Sequence, residues 1–257
     1  MNSVHGVATV DDELFMLLEE NENQVAVHSI NDYLLLRHLN VPGYRRDCDN
    51  DMTSCVRRRC LYMSDRENRR IHIYQLASNA ISKWSLHENP IRLSVTPSGN
   101  LLVTCWGEPN KLVEWSPDSG LCVREIALQA DIKVPWQSIK MITGQYVVCH
   151  GTNDEHLHRV CIIDDDGKVT HSYGGQRGSG VGQLNQPCYL AEDKDSQFIF
   201  VADRDNNRVA LLSPTLELVR YVSDELSGPR RLDFDHATRR LFVGQLFGRV
   251  SIVQLGL

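Results

Sequence analysis

Residues 198–212 read FIFVADRDNNRVALL: two apolar runs, Phe198 to Ala202 and Val209 to Leu212, flank the polar hexad DRDNNR. Asn and Asp hydrogen-bond their own backbone and tolerate turn conformations, so the stretch reads as a β-hairpin. With Val209 as anchor, the same layout recurs at Val25, Ile71, Leu112, Val160 and Val250, with successive spacings of 46, 41, 48, 49 and 41 residues. The residue before each anchor is Gln24, Arg70, Lys111, Arg159, Arg208 or Arg249, basic in five of six. Six residues before stand Glu19, Asp65, Trp106, Asp154, Asp203 and Gly244, acidic in four. Two residues after stand Val27, Ile73, Glu114, Ile162, Leu211 and Ile252, apolar in five, as alternation along a strand requires. Three columns in register make the repeat real, and six copies fill the 257 residues.

Each of the first five copies offers four apolar runs; copy three, for example, has IRLSVTP, NLLVTCW, KLVEWS and CVREIAL with turns PSGN and PDSG between them. Four-stranded units repeating every forty-odd residues predict an all-β chain, a six-bladed β-propeller of antiparallel blades around a central channel. The blades are expected at about residues 4–40, 50–88, 90–129, 136–175, 186–223 and 229–257, as one domain. Copy six has only three runs, RRLDFD, RRLFVGQ and RVSIVQL. Either the first few residues donate a short strand to it or the last blade has three strands.

The run from Gly178 to Ser213 resembles an NHL repeat: Gly178, Gly180, Gly182 and Gln183, then Asn185 and Pro187, then VAD at 201–203 and NNRV at 206–209. Copy two keeps SDRENRRI at 64–71; the other copies diverge. The WD-repeat and kelch signatures are absent. The resemblance implies a six-bladed propeller of the kind found as a recognition module in tripartite-motif proteins, below a RING ubiquitin-ligase domain. No RING, B-box or coiled coil occurs here, so any ligase role would belong to a longer parent.

Composition is ordinary for a globular chain, 42% hydrophobic and 23% charged. A net charge of −6 gives no global attraction to nucleic acid or an anionic membrane, so DNA and membrane partners are not expected. The N-terminus shows no leader pattern and no run approaches a membrane span, so a cytoplasmic, monomeric domain is the expectation. Eight scattered cysteines read as buried free thiols. Cys55 and Cys60 flank the tight turn VRRR and are a candidate cross-strand disulfide. A C-x4-C half-site without a second ligand pair is weak evidence for metal.

In a propeller, one face carries the turns between second and third strands and the blade-to-blade connections. Tyr44, Trp106, Trp136 and Phe247 fall there and are anchor candidates, with Arg45, Arg46, Arg66, Arg69, Arg230 and Arg231, because aromatic and Arg side chains dominate interface energetics. The basic residues cluster on copies six, one and two, where single-stranded RNA is the alternative ligand. Glu19, Glu20, Glu22, Asp47, Asp49 and Asp51 share that sector, and mixed charge reads as a solvated surface. A protein or peptide partner is therefore favoured.

Asp65 and Asp203 recur by period at strand ends, which reads as turn-holding rather than catalysis. His150, His156 and His158 with Asp154 are the most metal-like group, but they sit in a turn where polar residues are ordinary. Propeller hydrolases and lyases hold calcium or zinc at the inner-strand entrances. The expected entrance residues here, His5, Met52, Ile91, Gln137, Cys188 and Arg231, hold no carboxylate and one histidine. No nucleophile elbow or phosphate loop occurs. The expectation is a non-enzymatic module without a cofactor, with a propeller hydrolase or lyase as the remaining alternative.

Overall fold

The structure, a computed structural model, describes residues 3–18, 23–44, 50–153, 157–222 and 226–255. Blade 1 is β1 (Val4–Val10), β2 (Glu13–Leu18), β3 (Gln24–Ser29) and β4 (Leu35–Asn40). Blade 2 is β5 (Met52–Cys55), β6 (Cys60–Asp65), β7 (Arg70–Gln75) and β8 (Ile81–Ser85). Blade 3 is β9 (Asn89–Val95), β10 (Leu101–Trp106), β11 (Lys111–Trp115) and β12 (Cys122–Ala127). Blade 4 is β13 (Pro135–Lys140), β14 (Tyr146–His150), β15 (His158–Ile163) and β16 (Val169–Gly175). Blade 5 is β17 (Pro187–Asp193), β18 (Phe198–Asp203), β19 (Arg208–Leu212) and β20 (Leu218–Val222). Blade 6 is β21 (Pro229–Asp235), β22 (Arg240–Gln245) and β23 (Val250–Gln254). Every sheet pairs antiparallel in chain order, so the molecule is a six-bladed β-propeller. Among the described residues no helix is long and apolar enough to cross a membrane.

The apolar runs of the second strands follow from burial on both faces. Side chains alternate across a strand. In β18, Ile199 and Val201 pack with Val147, Val160 and Ile162 of blade 4, whereas Phe200 and Ala202 pack with Leu232, Phe234 and Leu241 of blade 6. The described residues form six such apolar clusters, one at each junction between neighbouring blades. The cluster joining blades 6 and 1 sets Val4, Val7, Leu14 and Met16 against Phe242. The last blade keeps three strands, and the ring closes by this packing and by a lone antiparallel bridge from Ser3 to Leu246.

The period-recurring carboxylates hold turns. Asp203 is buried and accepts from the Asn185 backbone N–H at 2.6 Å, Asn206 at 2.8 Å and Arg208 Nε at 2.7 Å. Asp65 accepts from Asn68 and stands 3.2 Å from His72 Nε2. Arg208 also lies 3.8 Å over the Tyr221 ring, and Arg159 pairs with Asp131. Arg70 and Arg249 of the same basic column are exposed.

One irregularity repeats and positions the site. In five inner strands a residue near the start has no partner in the second strand: His5, Ile91, Trp136, Cys188 and Arg230. Proline stands immediately before four of these bulges, at 90, 135, 187 and 229. Bulges bend a strand and re-aim its side chains. Just past the first bulge, Gly6 lets β1 approach β5; a Cβ there would fall 2.6 Å from Met52 Cβ.

Candidate functional site at the channel mouth

Antiparallel order places the start of each inner strand, the end of the second and the start of the third on one face, so the bulged residues surround that mouth of the channel. Two residues after each proline stands a large polar residue: Arg92, Gln137, Tyr189 and Arg231. All four are buried. Asp51, immediately before β5, joins them. Its carboxylate stands 3.1 Å from Arg231 Nε and accepts from the Leu93 N–H at 2.9 Å and from the Tyr189 hydroxyl at 3.2 Å. Arg231 further donates to the His5 carbonyl at 2.7 Å and the Asn50 carbonyl at 3.1 Å, and Gln137 donates to the Leu93 carbonyl at 2.9 Å. Burial raises the Asp51 pKa, and Arg231, Arg92 and the Leu93 N–H oppose the rise. This knot ties all six blades together beneath the mouth, blade 4 through Gln137.

Above it the mouth is cationic and aromatic. Trp106 and Trp136 meet edge to face with centroids 5.4 Å apart, and Trp106 Nε1 donates to the Pro135 carbonyl at 2.7 Å. Arg66 covers the Trp106 ring at 5.4 Å and Arg92 covers Trp136 at 5.3 Å. Arg204 donates to Gln186 Oε1 at 2.8 Å. Arg230, on the blade 6 bulge, is half-buried with no side-chain partner among the described residues. Burial, with Arg231, Arg92 and Arg204 nearby, lowers its pKa to about 10.

The anchors expected from sequence therefore divide. Arg66, Trp106, Trp136 and Arg230 come together at the mouth, and Arg69 and Phe247 are exposed on the same face, Phe247 at 54%. Tyr44 is a correction: it is 1% exposed, packed in the core between blades 1 and 2 with its ring edge-on to His72. Arg231 is another, consumed by Asp51 inside the channel. Asp51 itself, expected among solvated acids, is fully buried and supplies the carboxylate that the entrance ring was expected to lack. Arg45, Arg46 and His156 lie outside the described residues.

The metal-like histidines are used in structure. His158 Nδ1 accepts from the Gln186 N–H at 2.8 Å while Nε2 meets the Asn153 carbonyl at 2.9 Å, leaving no lone pair for a metal. His150 is buried and its Nε2 accepts from Arg159 Nε at 2.9 Å. Elsewhere Asp193, Asp195 and His236 gather within ligand distance of one another, but Arg239 grips Asp193 through two 2.9 Å hydrogen bonds.

At the opposite mouth the channel widens into a cavity of about 610 Å³, lined by hydroxyls of Thr9, Thr53, Ser94 and Thr96 and by Asp233, Glu192 and Lys194. Asp233 accepts from the Thr9 hydroxyl at 2.6 Å, yet burial lifts its pKa to about 7. The unfolded carboxyl titrates near 3.8, so stability from the retained proton is complete below that value and is lost as pH rises through about 7. Asp233→Asn is expected to leave stability unchanged at pH 4 and raise it by about 1–2 kcal/mol at pH 8, a figure reduced for water in the cavity. Denaturant unfolding at both pH values checks this; equal effects at the two would refute it.

No family model matches the chain, and no curated protein matches it. Solved structures do. The chain is similar to hydrazine synthase of Kuenenia stuttgartiensis, with 14% identity, a TM-score of 0.70, and 99% of this chain and 96% of that chain covered. It is similar to a catalytically inactive virginiamycin B lyase from Staphylococcus aureus with quinupristin, with 11% identity, a TM-score of 0.66, and coverage of 100% and 85%. A streptogramin B lyase structure matches at 10% identity and a TM-score of 0.67, covering 99% of this chain and 84% of that one. At such identities the likeness carries architecture alone, and it agrees with the strand order: the chain is a six-bladed β-propeller.

Proposed function

We propose that the protein is a non-enzymatic binding module whose turn-face mouth takes an acidic segment of a protein or peptide. The observation that carries this is Arg230, a half-buried guanidinium without a side-chain partner among the described residues, on the same mouth of the channel as the Trp106–Trp136 pair. A carboxylate of the partner would supply the missing hydrogen-bond acceptor in a low-dielectric site, and partly desolvated Arg and Trp are the residue types that concentrate interface energy. The resemblance to NHL repeats supports the same reading, including a place as the recognition part of a ubiquitin-ligase-type parent. Bases need open aromatic faces to stack upon. Here a guanidinium covers a face of each tryptophan, which disfavours RNA at this spot.

The test is selection of a displayed random-peptide library on the purified chain, followed by titration of selected peptides against Arg230→Glu and Trp106→Ala variants with intact unfolding transitions. Acidic sequences are expected, with affinity reduced about thirty-fold by Arg230→Glu, the equivalent of about 2 kcal/mol. Enrichment without acidic bias, or binding indifferent to Arg230→Glu, would sink the proposal. Retention of random single-stranded RNA that falls steeply with salt would replace it with the nucleic-acid reading.

A further inference from the structure

A second chemistry lies at the opposite end of the channel and does not depend on the binding proposal. Cys55 closes β5 and Cys60 opens β6, and the two are direct partners across the antiparallel pair. Both are free thiols and both are buried. Cys55, 3% exposed, lines the 610 Å³ cavity together with Arg57 of the intervening turn, which makes this cavity the route by which a small solute would approach it. The Arg58 N–H closes the turn on the Cys55 carbonyl at 3.2 Å, and the Arg58 guanidinium is held beside the turn by two hydrogen bonds to Asp118, at 2.7 and 2.9 Å.

We propose that Cys55 and Cys60 form a reversible thiol–disulfide pair driven by hydroperoxides, with Cys55 the attacking sulfur and Cys60 the resolving one. The Cys55 thiolate attacks one peroxide oxygen; the S–O bond forms, the O–O bond breaks and hydroxide leaves, giving a sulfenic acid. Cys60 sulfur then attacks the Cys55 sulfur, its proton joins the departing hydroxyl, and water is lost as the S–S bond forms. Overall two thiols and one hydrogen peroxide give one disulfide and two waters, and a dithiol reductant reverses the bond.

The electrostatics favour this order. Donation from the Cys60 thiol, then the Arg58 N–H and guanidinium and the Arg57 N–H, lower Cys55 to about 6 against the opposing effect of burial. Cys60 moves the opposite way, through its bond to Cys55 and through burial, with Tyr62 partly offsetting. Burial raises Cys105, Cys149, Cys161 and Cys188, and exposed Cys122 is raised as well. Directly opposed β-carbons stand about 4.5–5.5 Å apart, wider than a relaxed disulfide, which favours a bond that is readily reduced again.

The experiment uses the full chain under native conditions. Iodoacetamide at pH 6.5 is expected to label Cys55 about five-fold faster than Cys122, with a Cys55 rate that levels off above pH 7 while that of Cys122 keeps climbing. Hydrogen peroxide is expected to join the tryptic peptides that carry Cys55 and Cys60, a link removed by dithiothreitol. In Cys60→Ser the same treatment should leave a sulfenic acid on Cys55 that a dimedone probe captures. Labelling of Cys55 no faster than Cys122, or peroxide treatment that yields no Cys55–Cys60 link, overturns the proposal; both readouts are made on the unaltered chain, so a variant that fails to fold cannot mask the answer.

Discussion

Asp51→Ala is expected to cost about 3–5 kcal/mol of folding stability, because it strands a buried guanidinium. Arg231 would lose its counter-ion at 1% exposure, and the Leu93 N–H and the Tyr189 hydroxyl would lose their acceptor in the same step. A buried pair is costly to break but often neutral to replace whole. Asp51→Leu combined with Arg231→Met is therefore expected to recover most of the loss. Urea unfolding of the two variants and the parent decides the matter. A single variant within 1 kcal/mol of the parent, or a double variant no better than Asp51→Ala, would show that the knot does not hold the blades.

Acid should unfold the protein through His150. Burial first, then the neighbouring Arg159, lower its pKa to about 3, against an ordinary value of 6.5. Between those values the unfolded chain takes a proton that the native ring refuses, so the contribution is full above pH 6.5 and disappears as pH falls toward 3. The difference amounts to about 4 kcal/mol. The geometry agrees: Nε2 already accepts from Arg159 Nε, and a proton there would face a guanidinium. Stability measured from pH 7 to 3.5 should fall steeply in the parent and more gently in His150→Gln. A ring that titrates near 6.5 by NMR, or parallel slopes in parent and variant, would refute it.

Much of the architecture was legible because the signal is periodic. The layout of a polar turn between two apolar runs occurs six times, and its columns report physical demands: in four copies an acidic residue where the turn opens, as Asp203 holds its turn with Asn206 and Arg208, and apolar alternation after it. The site was legible only in part. Arg66, Trp106, Trp136 and Arg230 could be assigned to the mouth face because the repeat period shows which loops are turn-face loops. Tyr44 was misplaced because sequence shows that a loop is polar, not which of its side chains folds back onto the core.

Asp51 and Arg92 escaped for a related reason. Their own segments are unremarkable, and Asp51 follows a run of charged residues that reads as solvated surface. A signal did exist in the column two residues after Pro90, Pro135, Pro187 and Pro229, where Arg, Gln, Tyr and Arg stand at positions that ought to be apolar inner strand. Local sequence by itself determined the strands, their turns, the number of blades and which faces are apolar, because those depend on spacings of a few residues. Ring closure alone brought Asp51 to Arg231, Tyr189 and Leu93, residues 180, 138 and 42 positions away, because which inner strands share a channel is fixed by how many blades close and in what order.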